Sequence, residues 1–311
     1  MLASLIPFFL VARVAVDDNV WKYGPEYVFD LELNVTSIPM NYDGVQSSNY
    51  TNMNLFCRPT EPDGLNCRIA NARRENFDMT NDNKVDVPEE EMKHLYSEEP
   101  FVIKFNEYGV DHLIVNNQVR VNDLNDIKLI AERFNIGVDL NGVPDGAFEI
   151  LENTTVGQCS VMVRINHYPS KRMMNKIKNN RYELESLPQL NKVPSETIVI
   201  AKSTNLNNCT SYACFYFGSY GNNNVVEPDL HSHLDSMSSR IFVSDYQFVS
   251  TMTWLGNFTS SDKKKLSAMS QYINLSLRDI RAAKRELAPI FEPSKTSIVA
   301  NSDVDRIFPT E

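Results

Sequence analysis

The sequence predicts a mainly β (α+β) fold: a large antiparallel sheet or barrel with a single well-defined helix. Three observations carry this. Tyr27–Val35 alternates apolar and polar residues with a period of two, several later segments read as strands, and only Asn122–Gly137 has clear helical spacing. Asn-, Ser- and Pro-rich turns separate the strand segments at intervals typical of an all-β sheet.

Taken in order, the chain opens MLASLIPFFLVARVAVDD. The apolar run from Leu2 to Val16, broken by Arg13, is too short to span a membrane and has the length of a secretory leader. The expected organisation is a signal peptide over residues 1–16 and one β domain over 17–311; the competing reading makes the run a buried strand of the mature fold. In Tyr27–Val35, Tyr27, Phe29, Leu31, Leu33 and Val35 share one face and Asp30, Glu32 and Asn34 the other. That is a strand with one buried side and one wet side. Phe101–Asn116 reads as a hairpin turning at Asn106–Gly109.

In Asn122–Gly137, Leu124, Ile127, Ile130, Ala131 and Phe134 recur at helical spacing, with Asp or Asn as the cap and Gly137 as the stop. The apolar face of this helix needs a cover. Cys159–Tyr168, Glu196–Ser203, Ala213–Tyr220 and Ser239–Trp254 read as strands. Ser261–Leu287 is divided: its Lys and Arg clusters favour helix, whereas Tyr272, Ile273, Leu275 and Leu277 suit a strand.

Composition narrows the function. A chain of 311 residues with a net charge of −10 lacks the dense basic surface that nucleic-acid binding requires. No nucleophile elbow, phosphate loop, His-Glu-x-x-His or dinucleotide turn is present, so the chain reads as a non-enzyme without cofactor. His231 and His233 at i, i+2 lack a third ligand in view, and no metal site is assigned. Sequons stand at Asn34, Asn49, Asn153, Asn208, Asn257 and Asn274, and have meaning only in the secretory pathway. Five cysteines (57, 67, 159, 209, 214) without zinc spacing become disulfide candidates in that setting, with one thiol left over. The cluster YPSKRMMNKIKNNRYE, with Lys171, Arg172, Lys176 and Lys178, is the strongest positive patch and a candidate contact for an acidic receptor module or lipid headgroups.

Trp21-Lys22-x-Gly24-x-Glu26-Tyr27-Val28, the hairpin from Phe101 with its Gly109, Leu113-Ile114-Val115 and Asn125-x-x-Lys128 follow one another in a recognisable order. Gly157-x-Cys159, Asn208-Cys209, Tyr216-Phe217-Gly218, Ser239-Arg240-Ile241 and Asn274-Leu-Ser276 continue it. The pattern resembles the vitellogenin N-terminal domain of the large lipid transfer proteins, over roughly Val20 to Phe308. Asn122 departs from it, standing where the family has an aromatic residue. The resemblance implies a barrel-like antiparallel sheet wrapped around one central helix. With the chain ending at Glu311, it is similar to the short vitellogenin-like proteins of insects that lack the lipid-cavity part.

The same resemblance implies a Cys159–Cys209 disulfide, which would hold Asn208 at a constrained strand edge. Asn34, Asn49, Asn153, Asn257 and Asn274 are therefore the preferred glycosylation candidates. A local Cys57–Cys67 bridge is compatible with the Pro59, Pro62 and Gly64 turn and leaves Cys214 without an assigned partner. Lys202 and Leu206 fall on positions of the family's Lys-rich receptor-binding motif, with Ser203, Thr204 and Asn205 departing from it; an ordinary exposed strand end is the alternative. The resulting expectation is an extracellular binding module with no transmembrane segment. Its partner would be a low-density-lipoprotein-type receptor, a lipid or cell surface, or a microbial surface, and bound lipid is compatible with it. A storage glycoprotein without a dedicated receptor is the alternative function.

Overall fold

The computed structural model describes residues 2–6, 10–14, 21–40, 46–78, 83–138, 145–169, 182–186, 196–210, 230–260 and 264–299. Its strands are β1 (Leu2–Ile6), β2 (Leu10–Val14), β3 (Pro25–Pro39), β4 (Ser47–Thr60), β5 (Gly64–Asp78), β6 (Asn83–Asp86), β7 (Phe101–Asn106) and β8 (Gly109–Asn116). There follow β9 (Gly146–Thr154), β10 (Gly157–Pro169), β11 (Tyr182–Ser186), β12 (Glu196–Thr210), β13 (Leu230–Val243), β14 (Phe248–Ser260), β15 (Lys265–Ala282) and β16 (Pro293–Thr296). Two helices, α1 (Glu89–Leu95) and α2 (Val121–Glu132), complete the described elements.

Thirteen strands form one sheet in the order β16-β8-β7-β5-β4-β3-β15-β14-β13-β12-β10-β9, with β6 pairing β5 off that path. All pairings are antiparallel, and among the described residues the ends, β16 and β9, do not pair with each other, so the sheet is not closed into a barrel. A smaller sheet, β1-β2-β11, contributes Leu10, Ala12, Tyr182 and Leu184 to the same hydrophobic core. The N-terminal residues expected as a leader thus supply β1 and β2 here.

Alternation decides which face of the sheet is buried. On β3, Tyr27, Phe29, Leu31, Leu33 and Val35 are 0–6% exposed, while Asp30, Glu32 and Asn34 on the opposite face are partly exposed. Each such apolar side chain contributes about 1.5–3 kcal/mol on burial. The divided stretch Ser261–Leu287 resolves as strand over β15. It sits between β14 and β3, pairing with both, and buries Met269, Ile273, Leu275 and Leu277. Two ladders and one apolar face outweigh the helix propensity of its Lys and Arg residues.

Two other expectations are corrected, and a third falls where the structure gives no description. Ser239–Trp254 holds a turn, closed by Ser244 N–H donating to the Gln247 carbonyl at 2.9 Å, and so belongs to two strands. α2 has no Asp or Asn side-chain cap: Arg120 occupies the cap position and its guanidinium pairs with Asp123 at 2.6 Å. The expected strand at Ala213–Tyr220 lies outside the described residues.

α2 lies against the apolar side of the sheet, as its face requires, with Ile127, Ile130 and Ala131 buried and Leu124 packed at the core's margin. Phe134, just past the helix, meets Phe29 of β3 edge-on at 5.3 Å and stacks on Phe248 of β14 at 6.0 Å. Three aromatic rings therefore lock the helix end to the sheet's middle. Nearby, Glu26 of β3 accepts from Arg58 of β4 at 3.1 Å and from Arg281 of β15 at 2.8 Å, tying three adjacent strands.

Disulfides join Cys57 to Cys67 and Cys159 to Cys209. Each connects directly opposed residues of neighbouring strands, β4/β5 and β10/β12. The second, fifty positions long, removes denatured-chain entropy worth about 4 kcal/mol.

Phe134→Ala should cost about 3–5 kcal/mol in urea denaturation, because it opens a cavity among three rings. Burial raises the pKa of the Glu26 carboxyl, but the hydrogen bonds and charges of Arg281 and Arg58 win and hold it below its ordinary 4.5. Its stabilisation is full above 4.5 and is lost as pH falls through the depressed value, so Glu26→Gln should flatten the acid limb of the stability–pH curve.

Candidate functional site

Two polar arrangements stand out, one inside the sheet and one outside it. Their positions decide which sequence candidates can meet a partner.

The inner one is built at the end of α2. The chain leaves the helix in tight turns, with N–H groups of Arg133, Phe134 and Asn135 donating to the carbonyls of Ile130, Ala131 and Glu132 at 3.0–3.1 Å. Asn135, 4% exposed, is thereby held in the seam between the sheet's ends. Its Oδ1 accepts from Val110 N–H of β8 at 2.9 Å, and its Nδ2 donates to Glu152 Oε1 of β9 at 2.7 Å. Lys202 Nζ, on β12, donates to the Asn135 carbonyl at 2.9 Å and to Glu152 Oε1 at 2.5 Å. One side chain and one carbonyl thus connect strands at both ends of an open sheet.

Gly109 and Gly137 give this knot its room. Both have positive φ, +139° and +82°, and an added Cβ would strike Asn135 Oδ1 in one case and Glu152 Cδ at 2.5 Å in the other. Glu132 Oε2 accepts from Thr155 Oγ1 at 2.6 Å, and Arg133, 1% exposed, donates through Nε to the Leu129 carbonyl. Burial pushes Arg133 down to about 10 against the pull of Glu132 and Glu152, and burial raises Glu152 despite its Lys202 partner. So dense a buried charge group is costly unless every member is paired.

This geometry corrects one sequence expectation. The resemblance puts Lys202 on a receptor-binding motif or an exposed strand end, yet it is 8% exposed and its ammonium is committed inside the fold. Alternation carries the reason: Ile198, Ile200 and Lys202 share the inward face of β12. The same parity puts Glu152 inward with Thr154 on β9, a signal that charged residues on apolar faces would have given. Lys171, Arg172, Lys176 and Lys178 lie outside the described residues.

The outer arrangement is a groove of about 490 Å³ between Thr204–Asn207 and His233–Ser236. β12 and β13 pair only as far as Thr204 with Met237, and then part. Beyond that point Ser160 opposes Asn205 and Cys159 opposes Cys209, so Leu206, Asn207 and Asn208 form a bulge pinned by the disulfide. A second bulge on β13 turns out Asp235. His233 Nε2 lies 3.6 Å from Asp235 Oδ1, and Asn257 Nδ2 donates to Asp235 Oδ2 at 2.8 Å. Leu206 packs at the core's margin, whereas Asn205, Asn207, His233 and Asp235 are exposed. The groove offers amides, a carboxylate and an imidazole for hydrogen-bonded recognition of a polar surface.

The sequons differ in access. Asn153 is exposed; Asn34, Asn49 and Asn274 are partly exposed, Asn34 accepting from Ser48 and Asn274 donating to Glu32. Asn257 is 3% exposed with its amide nitrogen engaged by Asp235, so the folded chain has no space for a glycan there. Among the described residues, no three His, Cys, Asp or Glu side chains gather as metal ligands, and no helix is long and apolar enough to cross a membrane.

The family model of the vitellogenin N-terminal domain matches residues 21–255. A solved structure of lipovitellin, described by its lipid–protein interactions, is similar in fold at a TM-score of 0.58 and 12% identity. The match covers 90% of this chain and 28% of that one. No curated protein matches.

Lys202→Met should cost about 3–5 kcal/mol, because it strands Glu152 as a buried unpaired charge. The Lys202→Met/Glu152→Gln double variant should recover much of that loss in a double-mutant cycle. A surface lysine would shift stability by no more than about 0.5 kcal/mol.

Proposed function

This chain belongs to the vitellogenin N-terminal domain family, a lipid-transport family, and on that premise we propose that it is a secreted, non-enzymatic binding module that recognises a partner through its outer surface. The observation that carries this reading is the occupied interior. α2, the Phe29–Phe134–Phe248 cluster and the Asn135 knot fill the side of the sheet on which lipid would otherwise collect. Binding is thereby left to outward features, of which the β12/β13 groove is rigidly framed by a disulfide and two bulges.

Extracellular residence agrees with two disulfides, which persist in oxidising compartments. The partner we favour is a receptor of the low-density-lipoprotein type or another cell-surface protein, met by the groove rather than by Lys202. Cleavage of a leader near residue 16 completes the proposal and would remove β1 and β2 from the mature chain.

Protein collected from the medium of secreting cells should begin near residue 17 and carry well under one lipid per chain by extraction and mass spectrometry. It should also be retained by a soluble low-density-lipoprotein-type receptor ectodomain, and lose retention on Asn207→Arg/Asp235→Arg substitution. Stoichiometric lipid would replace recognition with carriage, and equal retention of both forms would remove the groove from the binding surface.

A further inference from the structure

Elsewhere on the outward face of the sheet, polar side chains meet one another. Asn54 donates to Asp30, Asn274 to Glu32 and Ser48 to Asn34, and Arg278 pairs with Asp30. The β12/β13 groove is different, because its polar groups are largely uncommitted. The side chains of Thr204, Asn207 and Ser236 line it without a hydrogen-bond partner among the described residues. Asn205 Oδ1 accepts from Asn207 N–H at 3.2 Å, which leaves the Asn205 Nδ2 to donate outward. Asp235 Oδ2 accepts from Asn257 at 2.8 Å, but its Oδ1 takes no hydrogen bond, with His233 Nε2 standing 3.6 Å away.

These free groups are nonetheless held in place. Asn205 is fixed by its own turn onto Asn207, and the Cys159–Cys209 bridge closes the bulge that follows. Asp235 is oriented from behind by Asn257, which is 3% exposed. Groups ordered before a ligand arrives lose little freedom on binding it. The volume, about 490 Å³, lies in the ordinary range of small-ligand pockets, roughly 300–1,000 Å³.

The lining selects among ligand classes. It holds one carboxylate and no Lys or Arg, so a phosphate, sulfate or carboxylate would meet repulsion without a counter-charge. An apolar ligand would strip water from amides and hydroxyls and give nothing back. An extended peptide needs a regular row of backbone donors and acceptors, and bulges interrupt both strands here. We infer that the β12/β13 groove is a site for a neutral sugar, whose hydroxyls are met by Asp235 and the amides of Asn205 and Asn207 and whose C–H face lies on Leu206. A sugar hydroxyl donates and accepts at once, as a carboxamide does, and a carboxylate oxygen accepts from it in a strong charge-assisted bond. This ligand class deepens the proposed role of the groove and rests on its being the recognition surface.

NMR titration of the full chain with methyl α-mannoside, methyl β-galactoside and N-acetylglucosamine tests the site. At least one of these sugars should bind, with little dependence on salt, and shift the resonances of Asn205, Asn207 and Asp235 but not those of β5. Asp235→Asn should weaken binding about tenfold or more, because bonds to a charged acceptor are lost. Asn207→Ala should weaken it as well, and both are exposed positions whose change should leave the thermal midpoint in place. Failure of all these sugars to bind, or binding indifferent to both substitutions, would overturn the proposal, and so would heparin shifting the same resonances in their stead. Retention of the receptor ectodomain with no sugar bound would leave the receptor proposal standing and remove this one. Sugar binding without receptor retention would do the reverse.

Discussion

Asn135 is the residue on which the architecture turns. Among the described residues the sheet's outer strands do not pair, so no backbone ladder described there holds its two ends close. A buried amide accepting from β8 and donating to β9 supplies that connection, and Lys202 of β12 braces both the backbone carbonyl of Asn135 and the amide's carboxylate partner. A carboxamide suits the position because it can donate and accept at once. Its placement depends on the tight exit from α2 and on two glycines whose missing Cβ atoms leave space for the contacts.

The remaining restraints divide the labour. Phe134 anchors the same helix exit to β3 and β14 by ring packing, which is non-polar and largely independent of pH. Glu26, Arg58 and Arg281 hold the middle strands by charge, and the two disulfides act on neighbouring strand pairs. The Cys159–Cys209 bridge has a second effect. It fixes the far end of the Leu206–Asn208 bulge, so that polar groups of β12 are presented beside the bulge of β13 instead of continuing a flat ladder.

The outer groove arises where regular pairing stops, because β12 and β13 part beyond Thr204 and Met237. Amide, carboxylate and imidazole groups gather at that opening, outside the helix-filled core.

Strand character and helix character were legible in the chain itself because each is a local period. Tyr27–Val35, Phe101–Asn116 and the α2 face needed no partner to declare themselves, and the shared order of Trp21–Val28, Gly157-x-Cys159 and Asn208-Cys209 pointed to the family. Burial of charge was half legible: Lys202 follows Ile198 and Ile200 on one face, but motif position suggested the opposite side. Ser261–Leu287 stayed undecided because propensity and alternation disagree there, and pairing with β14 and β3 settled it. What the residues alone determined is which segments alternate and which wind. Which ends meet, where a ladder breaks and which charges lose their water are set by contacts between segments far apart in the chain, and only the tertiary structure brings those into being.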